Sequence, residues 1–426
     1  WFTPMDMVDV DARFARWNIS ANDKGAAADF RNEPHTFGFN LEMDPADPNS
    51  RPAKRIAMGR FAHEAAVCSV PVAGQPLAFY MGCDGRNEYI YKFVSKALWD
   101  PKDVGGGLAI GDKYLNEGVL YVARFDADGT GKWLELSFNQ PEIANFSKYQ
   151  FANQADVWIN ARLAADAVGA TPMDRPEWGA VNHANGEIYF ALTNNNLASR
   201  TPAKVNAANP RSYADTDGRK AMGNPNGHII RFREAAGLST AATFAWDIFL
   251  FGAEDDLGSA NLSGLTAAND FSSPDGLWFS KATGICWIQT DDGAMTDESN
   301  CMMLAAIPGT VGDGGRRTVE NRVTIAGVEQ VGTQETFIGA ALGEARLKRF
   351  LVAPRGSEVT GVTETADGKT LFVNIQHPGE KTPALGEAAQ FKLESSWPGS
   401  IGYGKPGRPR SATIVITKDD GGLIGL

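Results

Sequence analysis

Six carboxylates stand where a short apolar run meets a tight turn rather than in charged runs, and their type points to cation chemistry. Glu64 lies in Gly59-Arg-Phe-Ala-His-Glu-Ala-Ala-Val67, Asp84 in Met81-Gly-Cys-Asp-Gly-Arg86, and Glu177 in Met173-Asp-Arg-Pro-Glu-Trp-Gly179. Asp275 lies in Ser272-Ser-Pro-Asp-Gly-Leu-Trp-Phe279, Asp291 follows Trp287-Ile-Gln-Thr290, and Glu358 lies in Arg355-Gly-Ser-Glu-Val-Thr-Gly361. A carboxylate among apolar neighbours is costly unless paired or metal-bound, so several of them imply a shared cation site. Oxygen-only ligands suit hard cations such as Ca2+, Mg2+ or Fe3+. Plainer readings stay open: Asp275-Gly276 is also a common turn pair, and Asp84 and Asp291 border a Gly or a second acid. Glu358 also reads as a surface acid. Arg175, two residues before Glu177, is the basic group best placed to grip a phosphate, or else to orient Glu177 through a salt bridge.

Other catalytic groupings are missing. The five His are scattered, and His63, His228 and His377 read as core groups or as supports for a site. No GxSxG, Walker loop or GxGxxG fingerprint is present, which weakens serine hydrolase, P-loop and Rossmann readings.

The elements that must position these acids are β-strands. A polar turn with Gly followed by a bulky alternating run occurs at Asp126–Leu136, His183–Thr193, Lys281–Thr290 and Thr365–Asn374. A turn Gly permits φ > 0, and the alternation suits half-buried strands. With Gly131, Gly186, Gly284 and Gly368 as anchors, the gaps of 55, 98 and 84 residues approximate one, two and two propeller blades. The expected fold is therefore all-β, a six-bladed β-propeller over residues 1–426 as one domain, with a few helical insertions. Unrelated hairpins in a β-sandwich are the competing reading. Further strands are expected at Leu77–Gly82, Glu88–Ser95, Asn226–Arg233 and Thr413–Lys418, helices at Gln154–Ala170 and Thr336–Phe350, and long loops at 194–225 and 251–272. In a propeller, the inner strands and loops converge on one axis, so distant acids can meet.

Composition agrees with a folded β-rich chain. Of 426 residues, 43% are apolar and 46 are Gly, about 11% against a usual ~7%. Forty basic against 51 acidic residues give a net charge of −11, the wrong sign for broad attraction to nucleic acid or an anionic membrane. No run of ~18 apolar residues would span a bilayer. Cys68, Cys83, Cys286 and Cys301 contain no CxxC pair and make neither a disulfide framework nor a zinc site. Trp1 is not a natural start residue, so an N-terminal piece is expected to be missing.

Several long phrases, in order, resemble the PhoX-type alkaline phosphatases. They are Gly59-Arg-Phe-Ala-His-Glu64, Tyr80–Ser95, Arg175-Pro-Glu177, Asn224–Arg231, Ser273-Pro-Asp-Gly-Leu-Trp278, Leu371–Glu380 and Arg410–Thr417 with Asp420-Gly-Gly422. The resemblance implies a propeller with a ferric and calcium cluster that hydrolyses phosphate esters outside the cytoplasm, in the periplasm or after secretion. It implies Glu64, Glu177, Asp275 and Glu358 as cluster ligands, the Ala65 carbonyl as a further donor, Asp84 and Asp291 on the calcium side, and Arg175 on substrate phosphate. In-line attack on phosphorus would follow, with the metals (Fe3+ and Ca2+) polarising the ester. The expected partner is a small phosphate ester, with no nucleic acid, no membrane and a monomeric chain. Two departures stand out: the family's upstream Cys followed by paired Glu lies before this chain begins, and Cys83 stands where a second Asp is usual. A thiol there is expected to be inert. A non-catalytic calcium-binding propeller and a propeller lactonase are the alternatives; Arg175-Pro-Glu177 favours phosphate.

Overall fold

Turn glycines followed by alternating bulky residues organise most of the sheet structure. The computed structural model describes residues 23, 25–197, 199–216, 221–382, 393–402 and 407–426. Contacts divide the chain into two compact units: Trp1–Asp84, Tyr89–Ala123 and Trp133–Ala170 form the first, and Gly85–Glu88, Arg124–Lys132 and Thr171–Leu426 the second. The protein is mostly β with few helices.

In the second unit, Gly186, Gly284 and Gly368 take φ of 72°, 74° and 66°, the left-handed turn conformation that Gly adopts without steric cost. Each turn delivers the chain into the second strand of an antiparallel meander. Those strands are Ile188–Leu192, Cys286–Thr290 and Thr370–Gln376. Each pairs back with the strand before its turn, Pro176–Val181, Pro274–Phe279 or Glu358–Glu364. Each pairs forward with His228–Glu234, Met302–Ala306 or Ala412–Thr417. Thr243–Phe251 and Leu347–Val352 add a fourth strand to the first two meanders. Ile188–Leu192 and Cys286–Thr290 are buried along their whole length, so both faces of these sheets are covered. One core gathers Tyr189, Ile229, Phe249, Leu277, Ile288 and Leu304; a second gathers Trp287, Met303, Val359, Leu371 and Val373.

The first unit repeats the plan. Pro76–Gly82 pairs with Val67–Cys68 and with Ile90–Leu98, in register Phe79↔Phe93. Ile90–Leu98 in turn pairs with Gly118–Phe125, in register Tyr91↔Val122. Its core packs Phe61, Met81, Tyr91, Phe93 and Val122 with Val157, Ala161, Ala164 and Ala165 of the helical segment.

The strands expected at Leu77–Gly82, Glu88–Ser95, Asn226–Arg233 and Thr413–Lys418 are all present within a few residues, with Arg86–Glu88 and Ile90–Leu98 as separate strands. Other expectations change. Gly131 is not a turn residue: the turn is at Gly129 (φ 84°), and Gly131 lies in the strand Thr130–Glu135, where a Cβ would meet the Phe244 ring at 2.2 Å. The 98 residues from Gly186 to Gly284 contain the rest of one meander, a short hairpin, long loops and the first strand of the next meander, and among the described residues four such meanders form. The helix expected over Gln154–Ala170 breaks at Asn160 into Gln154–Ile159 and Ala161–Val168. There Asn160 leaves the helical region (φ −112°, ψ 41°) and caps the first segment, its N–H donating to the Asp156 carbonyl at 2.9 Å and its side-chain amide to the Asp156 carboxylate at 2.8 Å. Thr336–Phe350 is not a helix. Thr336–Ile338 completes the long hairpin Gly315–Ile325/Val328–Ile338, one helical turn spans Gly343–Arg346, and Leu347–Val352 is the alternating strand that Met302–Ala306 pairs. Segment 194–225 carries two short paired strands, Tyr213–Asp215 and Ala221–Gly223, with residues 198 and 217–220 outside the described set. The four Cys are unbridged. Among the described residues no helix is long and apolar enough to cross a membrane.

His228 is fully buried in the second unit, its Nε2 2.9 Å from the Ala208 carbonyl and its Nδ1 3.1 Å from the Asn224 amide. Those partners assign an Nε2–H donor and an Nδ1 acceptor. Burial lowers its pKa from 6.5 to about 4. The unfolded imidazole therefore takes up a proton at a pH where the folded one refuses it, and stability falls as pH drops through this window, by roughly 2 kcal/mol at pH 5. His228→Gln keeps a donor for Ala208 and removes the titration. It should lose less stability than the parent between pH 8 and pH 5 in urea unfolding; parallel losses would show that His228 does not carry this dependence.

Candidate metal centre

Four acids occupy the same place in four meanders. Glu177 precedes the turn glycine Gly186 by nine residues and Asp275 precedes Gly284 by nine; Glu358 precedes Gly368 by ten, and Glu64 precedes Gly74 by ten. Each acid thus stands at the start of, or just ahead of, a first strand, at the end opposite the turn. The second strand returns to that same end. It delivers Cys83 and Asp84 after Pro76–Gly82, Thr193 after Ile188–Leu192, Asp291 after Cys286–Thr290 and His377 after Thr370–Gln376. A spacing of nine or ten residues between acid and turn glycine is legible in the sequence, and it is a stronger signal than the interval between glycines.

Two of the strand starts share one backbone device. Pro176 pairs with Leu192 and Pro274 with Thr290, and in both strands the register then shifts before Gly179 or Leu277. Glu177 and Asp275 sit within those irregularities, where a bulge re-aims a side chain. The residue before each proline has positive φ, 63° at Arg175 and 50° at Ser273. Pre-proline residues favour extended backbone and any residue with a Cβ disfavours positive φ, so both positions store strain that their surroundings must hold. Hydrogen bonds do hold them. Arg175 donates its N–H to Met173 and its carbonyl accepts from Thr193 at 3.1 Å; Ser273 donates to the Asn226 carbonyl at 2.9 Å and accepts from the Asp291 N–H at 3.2 Å. Beside Arg175, the buried Asp174 carboxylate accepts from Asn195 at 2.9 Å, from Asn224 at 3.0 Å and from Arg200.

The acids of the second unit come together. Glu177 is 3% exposed, and its carboxylate and that of Asp275 offer oxygens within 4.8 Å of each other. Arg175 Nη2 lies 2.9 Å from Glu177 Oε1, with the Arg175 side chain a quarter exposed. Glu358 joins Asp275, Asp291 and His377 electrostatically. Its Oε2 is 3.4 Å from His377 Nε2 and accepts from the Gln376 amide. Burial raises the Glu358 carboxyl above its usual range and Asp291 raises it further, while His377 and a hydrogen bond with Asp275 oppose the rise. Asp291 is also raised, first by burial and then by Asp292 and Glu380, against Arg175 and His377. Both shifts record the same cost, negative charge crowded in a partly desolvated place. A cation would remove that cost, and every donor is a hard oxygen, so the residues fit hard metal ions.

In the first unit, Glu64 donates its N–H to the Gly82 carbonyl at 3.3 Å, and Asp84 donates to the Ala62 carbonyl at 2.8 Å. A bridge between His63 and Cys83 locks these segments side by side, so Glu64, Ala65 and Asp84 share one end of their meander. His63 stacks on Phe61 at 3.6 Å between ring centroids and contacts the Gly59 carbonyl at 3.0 Å. Cys83 is buried among Met81, Tyr91 and Phe93. Thr193, Ser273, Asp174 and Gln376 were not singled out from sequence, because their parts depend on partners far along the chain.

A family model described as alkaline phosphatase PhoX matches residues 7–379. No curated protein sequence matches the chain. Among solved structures, Pseudomonas fluorescens PhoX in complex with vanadate, a transition state analogue, is 34% identical with a TM-score of 0.69. The alignment covers 96% of this chain and 61% of that one, so the chain spans about three fifths of that protein's length. On the family match over most of its length, the chain belongs to the PhoX alkaline phosphatase family.

Proposed function

We propose that the chain hydrolyses phosphate esters, with Glu64, Glu177, Asp275 and Glu358, the Ala65 carbonyl, and Asp84 and Asp291 holding a cluster of Fe3+ and Ca2+. The observation that carries this reading is the pairing of Arg175 with Glu177 beside Asp275, Asp291 and Glu358. Carboxylates alone would repel a phosphate; a guanidinium among them gives the anion a reason to enter. The vanadate complex of the Pseudomonas protein supports it, as does the family match.

Bound hard cations would supply Lewis-acid polarisation of the phosphoryl oxygens and neutralise charge that develops there. The chain's own residues do the rest. Arg175 presents a planar fork of N–H donors that matches phosphate oxygens bidentately, and Glu177 fixes one end of that fork. The strained but hydrogen-bonded backbone of Arg175 keeps the guanidinium preorganised, so little reorganisation is needed as charge builds on phosphorus. Gln376 and His377 hold the Glu358 carboxylate in place.

The meanders are read as blades of one propeller domain over residues 1–426. The four meanders of the described residues are two short of the six blades expected. A small phosphate ester as substrate, a monomer, and a periplasmic or secreted site of action complete the reading.

Release of nitrophenol from p-nitrophenyl phosphate should disappear on chelation and return with Ca2+ and iron. Metal at about a hundred times its Kd should add roughly 2.7 kcal/mol to stability, seen as an upward shift in Tm. Stabilisation by Ca2+ alone, with no iron bound and no turnover of any ester, would favour the non-catalytic propeller instead. Arg175→Ala should lower kcat/KM by ~100- to 1000-fold with metal content unchanged, and Arg175→Lys should recover part of the loss. Equal activity in Arg175→Ala would leave the arginine as a salt-bridge partner only.

A further inference from the structure

We propose that Thr193 is a positioning residue that sets the separation of the Glu177 and Asp275 carboxylates. The inference rests on the reading of these acids as metal ligands and extends it to a residue that touches neither carboxylate.

Thr193 directly follows the strand Ile188–Leu192 and is fully buried. Its N–H donates to the carbonyl of Arg175 at 3.1 Å, two residues before Glu177. Its Oγ1 donates to the carbonyl of Pro274 at 2.9 Å, on the peptide that leads directly into Asp275. One residue therefore holds the strained starts of two neighbouring meanders, each carrying an acid on a bulge. Nothing in the register of either sheet does this, because Pro176–Val181 and Pro274–Phe279 belong to different sheets.

Thr193 is itself held in place. At Gly227 (φ 64°), a Cβ would lie 2.0 Å from the Thr193 carbonyl oxygen, so the neighbouring chain presses directly on its backbone. The next two residues are tied as well: Asn194 accepts from Arg86 at 2.8 Å, and Asn195 exchanges backbone hydrogen bonds with Asn224 at 2.9 and 3.0 Å. In the third meander the corresponding place is taken by Asp291, a candidate ligand. Thr193 occupies it with a hydroxyl turned to a backbone carbonyl instead.

Groups that orient metal ligands cost 10- to 100-fold in metal affinity when removed. Thr193→Val keeps the side-chain shape and the N–H and deletes only the bond to Pro274. The probe is Tb3+, a hard trivalent ion whose emission is sensitised by nearby tryptophan; Trp178 adjoins Glu177. Titrated well below the unfolding midpoint, Thr193→Val should bind Tb3+ ~10- to 100-fold more weakly than the parent, and Thr193→Ser should restore binding to within about threefold. Should the valine variant not fold, Thr193→Ala tests the same bond. Parental Tb3+ affinity in folded Thr193→Val or Thr193→Ala overturns the inference, and so does Thr193→Ser binding as weakly as Thr193→Val. A parent whose emission does not exceed that of Glu177→Gln overturns the metal-centre reading itself, and this inference with it.

Discussion

Mutual repulsion among partly buried carboxylates is the constraint to which the second unit is built. Glu177, Asp275, Asp291 and Glu358 meet where solvent screens them poorly, and the raised pKa of Asp291 and Glu358 records the cost. Arg175 and His377 offset only part of it, since both shifts remain upward despite their pull. A fold that tolerates such crowding needs a compensating charge from outside the chain or a rigid frame that prevents the acids from turning away. The frame is visible: two pre-proline residues in left-handed backbone, pinned by backbone hydrogen bonds to Thr193, or to Asn226 and Asp291, beside the ends of other strands. Strain of this kind persists only where the surroundings over-determine it, and it gathers where chemistry needs preorganisation.

The same frame explains why the arginine and the acids are close in space. Arg175 and Glu177 are two residues apart, yet their side chains meet because positive φ and the bulge turn successive residues toward one end of the meander. In an unbroken strand, side chains two apart share a face but run parallel, and the bulge is what converges them. Local backbone irregularity thus does for the Arg175–Glu177 pair what sheet topology does for the acids.

Much of this could be read from residue order, because the important features are short-range. The Pro-acid pairs at Pro176-Glu177 and Pro274-Asp275, the turn glycines and the alternating strands are each contained in about ten residues. Gly129 and Gly131 flank Thr130 and read alike as turn residues, and only the Phe244 ring above Gly131 distinguishes strand from turn. The stretch after Thr336 carries the helix formers Ala, Leu, Glu, Arg and Lys, while pairing with Met302–Ala306 decides the matter. Thr193 was invisible for a similar reason: its hydroxyl bonds a carbonyl 81 residues away, and nothing in its neighbours announces that partner.

The short offset from acid to turn glycine, nine residues in two meanders and ten in the other two, acts as a ruler. Lengthening it beyond that range would lift one carboxylate out of line with its fellows. The tip of the long hairpin Gly315–Ile325/Val328–Ile338 lies beyond that stretch, with Ala326 and Gly327 exposed. It can change length while the acid-bearing hairpins keep nearly the same size, which makes it the natural place to graft a tag or a foreign domain.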